Sequence, residues 1–276
     1  MSRRGHRPAD VGLLALDVDG TLLDWDGWLP PATAQAVTQA INTPGLNVVL
    51  ATGRSIHSTM GVAARLGLTE GWAVCANGSV TIRLDPARPS GWELVEAITF
   101  DPRPALDVIH RLVPEAALAV EELGVGFLVT AYFPRGELDG QLRVVSYEEL
   151  AARPATRVIL RETEMHPDRL GEIVRATRLP GVTYAVGHSG WVDLNPPGVS
   201  KASALEVLRQ QLGVPASGTV ALGDGGNDVS MLAWASRGVA MGRSREDVVA
   251  AASEVTGNIE DGGAADLIFS VLAELQ

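Results

Sequence analysis

Val11-Gly-Leu-Leu-Ala-Leu16 runs without a break into Asp17-Val-Asp-Gly-Thr21. An apolar run with no period of two suits a central parallel strand buried on both faces. The carboxylates that follow it then stand at the carboxyl edge of a sheet, where open α/β folds bind ligands. The pattern returns twice. Leu46-Asn-Val-Val-Leu-Ala51 ends in Thr52-Gly-Arg-Ser55, and Thr219-Val-Ala-Leu222 ends in Gly223-Asp-Gly-Gly-Asn-Asp228.

Helical patterns separate these strands. Ala34, Val37 and Ile41 follow Pro30-Pro31 at helical spacing, and Pro44-Gly45 ends the run. Met60, Val62, Ala63 and Leu66 form a second helix closed by Gly67, and Trp72-Ala-Val-Cys75 is a third strand before the turn Asn77-Gly78. After Ser200 come a helix over 201–212, the strand at 219–222, a helix carrying Met231 and Leu232, a strand at 238–241 and a last helix over 264–275. Alternating strands and helices predict an α/β domain with a parallel, Rossmann-like sheet.

Between these halves the rhythm changes. Residues 85–91 are rich in Pro, Ser and Gly. Strand-like segments follow at 92–99, 117–121, 125–132, 156–161, 182–186 and 191–194, with helices over 102–113, 146–151 and 167–178. Several alternate, as in Thr156-Arg-Val-Ile-Leu-Arg161, which suits an antiparallel sheet covered on one face. The expected organisation is a core over 1–84 and 188–276, with 1–10 a loose tail, interrupted by an inserted α+β domain over 85–187.

Composition bounds the function. Of 276 residues, 46% are hydrophobic and 20% charged, enough apolar mass for a real core. A net charge of −11 repels phosphate backbones and anionic lipid, so neither nucleic acid nor a membrane is expected as the main partner. A single cysteine, Cys75, forms no internal disulfide and no cysteine metal site. No stretch approaches the roughly 20 apolar residues of a membrane span. The apolar run after the basic first residues is too short for a signal peptide. These features predict a cytoplasmic protein.

The strand ends bring Asp17, Asp19, Asp224 and Asp228 to one sheet edge. Clustered carboxylates repel one another unless a cation neutralises them, and an all-oxygen donor set selects Mg²⁺. Lys201 opens a helix after Pro196-Pro-Gly-Val-Ser200, a place suited to a phosphate group. Thr52 adds a hydroxyl, and Gly20, Gly53 and Gly223 let backbone amides approach a ligand. By inventory this is a phosphoryl-transfer site.

Asp17-Val-Asp-Gly-Thr-Leu22 resembles motif I of the haloacid dehalogenase superfamily. Ala51-Thr-Gly-Arg54 resembles motif II, Lys201 within Gly198-Val-Ser-Lys-Ala202 motif III, and Gly223-Asp-Gly-Gly-Asn-Asp-Val-Ser-Met-Leu232 motif IV. The order is right, and the insert resembles the C2B cap of Cof-type hydrolases. The resemblance implies that Asp17 is the nucleophile and forms an aspartyl-phosphate. It implies that Asp19 is the general acid/base and ligates Mg²⁺ through its main-chain carbonyl. Asp17 and Asp224 are implied as carboxylate ligands, and Asp228 as a ligand through water or a residue behind the ligands. Val18 and Gly53, through their amides, and Thr52, Lys201 and Asn227 are implied to hold the phosphoryl oxygens. Arg54 is open between a substrate contact and a carboxylate partner on the core.

His188 lies where the cap returns to the core and is a possible substrate contact; the other histidines read as surface residues. Trp25 and Trp28 flank the turn Asp26-Gly27 and are expected to pack under the cap or within a short flap. The function implied is a Mg²⁺-dependent phosphatase acting on a small phosphorylated metabolite, first a sugar phosphate, then a nucleotide or phosphorylated cofactor. The alternatives are a phosphomutase or phosphotransferase on sugar phosphates, which shares this cap class, and a non-catalytic metabolite sensor. No motif assigns an oligomeric state or the cap residues that set specificity.

Overall fold

The computed structural model describes residues 11–186 and 190–276. The chain opens with β1 (Leu13–Leu16), α1 (Pro31–Ile41), β2 (Asn47–Ala51), α2 (Ile56–Leu66), β3 (Gly71–Cys75), β4 (Val80–Leu84) and β5 (Trp92–Ala97). There follow α3 (Arg103–Leu112), β6 (Ala117–Glu122), β7 (Gly126–Val129), β8 (Gln141–Val144), α4 (Tyr147–Ala151), β9 (Val158–Arg161), α5 (Pro167–Thr177), β10 (Thr183–Val186) and β11 (Trp191–Asn195). It closes with α6 (Lys201–Gln211), β12 (Thr219–Gly223), α7 (Val229–Trp234), β13 (Arg237–Ala240), α8 (Glu246–Ala251), β14 (Glu254–Val255) and α9 (Gly263–Glu274).

The core sheet runs β14-β13-β12-β1-β2-β3-β4-β5. It is parallel from β14 to β3, and β4 and β5 add an antiparallel edge. Successive residues of β1 point to opposite faces. Leu14 and Leu16 pack with Val37 of α1, Val62 of α2 and Ile268 of α9, whereas Leu13 and Ala15 pack with Leu205 of α6, Met231 of α7 and Val248 of α8. Both faces are covered, which is why this strand carries no polar alternation. β1 lies between β2 and β12, so its carboxyl end sits where the strand order reverses.

The second sheet runs β10-β11-β9-β6-β7-β8 and is antiparallel except between β7 and β8. Leu118, Val120, Val158, Leu160, Val192 and Leu194 pack against Leu106 and Ile109 of α3 and Leu170 and Val174 of α5. Ala119, Phe127, Val129 and Ile159 alternate with them and form a smaller cluster on the other face with Phe133.

Strand membership shifts the borders expected at 84 and 188. β5 belongs to the core sheet and β11 to the cap sheet. β5 is an edge strand, exposed over most of its length, so no buried run marks it as core. β11 pairs antiparallel with β9 and alternates, burying Val192 and Leu194, although it lies close to Lys201 in sequence. Both crossings meet at Ser79: the Ile98 amide donates to its carbonyl at 2.8 Å, and Asn195 Nδ2 to its hydroxyl at 3.1 Å.

Trp25 and Trp28 sit on a tight turn, where the amides of Asp26 and Trp28 donate to Asp24 Oδ1, and are 68% and 50% exposed rather than packed beneath the cap. The expected N-terminal tail, 1–10, and His188 lie outside the described residues. No helix among the described residues is long and apolar enough to cross a membrane.

Candidate active site

β1 delivers Asp17 to the sheet edge, where it is 4% exposed. The chain then turns sharply. The carbonyl of Val18 accepts from the amides of Thr21, Leu22 and Leu23 at 3.4, 2.9 and 2.8 Å. Gly20 makes this turn with φ +82°, and a Cβ there would lie 2.2 Å from Asp224 Oδ2. Only glycine lets the first loop approach the carboxylate that β12 presents. Thr21 Oγ1 donates to Asp224 Oδ1 at 3.2 Å and joins the two loops.

Lys201 is the first residue of α6, with Ser200 as N-cap in a capping box with Ser203. Its side chain is fully buried. The ammonium donates to Asp17 Oδ1 at 2.5 Å and to Asp228 Oδ1 at 2.6 Å. The other oxygen of Asp228 accepts from the amides of Asp224 and Gly225 at 3.0 and 2.9 Å. With both oxygens engaged, Asp228 holds the loop after β12 and the lysine in register.

Asp17, Asp224 and Asp228 each offer an oxygen within 4.8 Å of the others. Fully ionised, these three carboxylates and the Lys201 ammonium sum to −2. Burial pushes Asp17 well above the usual carboxylate range, and Asp228 adds to this while Lys201 pulls the other way. Burial and Asp228 likewise push Asp224 up to about 6. Burial alone would lower the lysine, but Asp17 and Asp228 hold it above its ordinary value. The ion pair therefore does not relieve the carboxylates. A divalent cation would cancel the excess charge, and the donors are hard oxygens, so the cluster fits Mg²⁺.

Asp19 stands apart from this cluster. Arg54 grips it with two bonds, Nε to Oδ2 at 2.8 Å and Nη2 to Oδ1 at 2.6 Å. Of the two roles open to Arg54, the structure places it against a carboxylate of the core. Thr52 does not cap α2; Ser55 does, its hydroxyl accepting from the Ser58 amide. Thr52 Oγ1 instead accepts from the Arg54 amide at 3.1 Å, which leaves its own proton to give. Asn227 Nδ2 donates to Asn77 Oδ1 at 3.0 Å.

From sequence alone Asn77 reads only as part of the turn Asn77-Gly78. It has φ +56°, its amide donates to the Thr52 carbonyl, and its Nδ2 lies 3.3 Å from Asp193 Oδ2 and 3.4 Å from Asn195 Oδ1. Asn195 is fixed in turn by the Ala76 carbonyl at 2.9 Å. A signal existed, because Asn77 follows β3 at the same sheet edge as the other strand-end residues. Arg157, Glu121 and Asp193 also reach this edge, from the cap.

The sequence profile of the family described as haloacid dehalogenase-like hydrolase matches residues 14–119 and 133–268. The chain belongs to that family. Phosphatase YwpJ of Bacillus subtilis is 28% identical over an alignment covering 94% of this chain and 99% of the relative. HMP-PP phosphatase of Cronobacter sakazakii is 28% identical, with 86% of each chain covered. Among solved structures, the subclass IIB sugar phosphatase BT4131 superposes with a TM-score of 0.76 at 23% identity, covering 94% of this chain and 99% of that one. The α/β core with its inserted α+β cap is the fold of that subclass, and the chain is a Cof-type haloacid dehalogenase-like hydrolase. It is a phosphatase, a hydrolase of phosphoric monoesters.

Proposed function

We propose that this phosphatase is Mg²⁺-dependent and hydrolyses a sugar phosphate through an aspartyl-phosphate on Asp17. The observation that carries the reading is the buried Asp17–Lys201–Asp228 arrangement beside Asp224 at the switch point of the sheet. The sugar comes from the neighbour BT4131, a sugar phosphatase that shares both core and cap.

Asp17 attacks phosphorus with the oxygen free of Lys201, and the bond from phosphorus to the sugar oxygen breaks. Asp19 gives a proton to the departing alkoxide, which requires its release from Arg54 once substrate is in place. Water then attacks phosphorus, Asp19 takes its proton, and the bond to Asp17 breaks to free phosphate. Lys201, the Thr52 hydroxyl, the amides of Val18 and Gly53, and Asn227 hold the phosphoryl oxygens through both steps. Asp17 and Asp224 with the Asp19 carbonyl would hold Mg²⁺, and Asp228 would reach it through water. When bound, the ion supplies charge neutralisation at the phosphoryl oxygens.

The test is phosphate release from sugar phosphates, nucleotides and p-nitrophenyl phosphate, with Mg²⁺, with EDTA, and with Asp17→Asn. Activity should vanish in both controls, and a sugar phosphate should be the best substrate. Undiminished release by Asp17→Asn would remove the covalent step; a nucleotide as best substrate would replace the sugar.

A further inference from the structure

Gly53 and Ile56 mark the loop between β2 and α2, and both its ends are held from the cap. Arg157, just before β9, donates Nη1–H to the Gly53 carbonyl. Its Nη2 lies 3.5 Å from Glu121 Oε2 on β6. The other oxygen of that carboxylate accepts from the Ile56 amide at 3.1 Å. Asp193 of β11 stands 3.8 Å from Arg157 Nη1 and takes Asn77 Nδ2 on its second oxygen. Arg157 is 4% exposed and Glu121 7%. Charged groups this deep are retained at a cost unless each has a defined partner.

The bond to Gly53 acts on one peptide plane. The Gly53 carbonyl and the Arg54 amide belong to the same rigid unit. Arg157 holds its oxygen edge, and the Thr52 hydroxyl accepts from its N–H edge. Turning that plane would break both bonds, redirect the Thr52 hydroxyl and move the guanidinium that grips Asp19.

We propose that Arg157 and Glu121 form a clamp by which the docked cap sets the phosphate-binding loop, so that Arg157 is a positioning residue for turnover. The proposal rests on the phosphatase reading for its rate consequences but not for its structural ones. A residue acting through the loop affects every substrate alike, because all share the phosphoryl group. A residue contacting the sugar affects only substrates large enough to reach it.

The experiment compares wild type, Arg157→Gln, Arg157→Lys and the double variant Arg157→Gln with Glu121→Gln, each first checked for a cooperative melt. If Arg157→Gln alone fails to fold, the double variant also removes the charge left on Glu121, while Asp193 keeps its bonds from Asn77 and Trp191. With Mg²⁺, kcat of Arg157→Gln on p-nitrophenyl phosphate and on the best sugar phosphate should fall by the same factor, roughly tenfold to a hundredfold, with KM little changed. Arg157→Lys, which keeps one donor for Gly53, should recover part of it. Hydrogen exchange in a peptide spanning 52–60 should quicken in Arg157→Gln and in the double variant. Normal kcat on p-nitrophenyl phosphate with a loss confined to the sugar phosphate would overturn the clamp in favour of a substrate contact. Unaltered exchange would also overturn it. A wild type that releases no phosphate would sink the phosphatase reading alone, since exchange still decides the clamp.

Discussion

A methyl group at Gly20 would test how tightly the first loop must approach the second. Gly20→Ala meets a left-handed φ and an atom of Asp224 at 2.2 Å. Left-handed backbone costs a residue with a Cβ roughly 1–2 kcal/mol. Relieving the clash moves Asp224, and with it the proposed cation site. Mg²⁺ titration followed by thermal shift should show weaker binding as well as a lower Tm; wild-type affinity would mean that Asp224 is not a ligand. Asp224 also predicts a pH effect. Its folded value, about 6, lies above that of the unfolded chain, so the folded protein holds the extra proton between roughly pH 4 and 6. Without metal, stability therefore falls as pH rises through that window. Metal binding needs the carboxylate, so the gain in Tm on adding Mg²⁺ should be large at pH 7.5 and small at pH 5. An equal gain at both would show that Asp224 does not govern the site.

At the scale of elements, α6 carries Lys201 on its first turn. Its capping box is closed by Ser200 Oγ accepting from Ser203 and by the Ser203 hydroxyl accepting from Ser200. Ser200→Ala should cost about 1 kcal/mol and Ser200→Gly only a few tenths. For a chain of this size that is a fall of roughly 2–4 °C in Tm for the alanine variant. An alanine variant that melts with the wild type would show that the hydroxyl contributes nothing. Elements of this kind were readable where one signal is local. β1, β2 and β12 are apolar runs ending in polar residues, and Gly67 stops α2 in a left-handed conformation. β8 is exposed throughout and β14 is two residues long, so neither leaves a pattern. The site divides the same way. Asp17, Thr52, Asp224 and Lys201 follow strands or open a helix, and motif order ties them together. Arg157 precedes β9 and Glu121 lies near the end of β6, with no motif around either, and only the docking of cap on core says what they touch.

For the whole molecule, the shared anchor at Ser79 predicts where the cap can be removed. Ile98 and Asn195 both bond to that residue, so the two ends of the core lie close together. A short glycine-serine linker replacing 99–195 should leave both core clusters intact, since neither takes a buried residue from that segment. The Gly53 carbonyl and Ile56 amide would lose their cap partners but gain water, which makes the loss tolerable. Removing 85–187 instead discards β5 and strands β11, exposing Val192 and Leu194, which are fully buried in the intact protein. The 99–195 deletion should melt cooperatively, with the 85–187 deletion aggregating or melting lower. The folded core should also lose its ranking among substrates if the cap selects them, because the cap is gone. Both constraints can be read from one preparation: a melting curve, then phosphate release from the panel. A 99–195 deletion that does not fold would show that core and cap form one cooperative unit, and that the buried Arg157–Glu121 pair supports stability across their boundary.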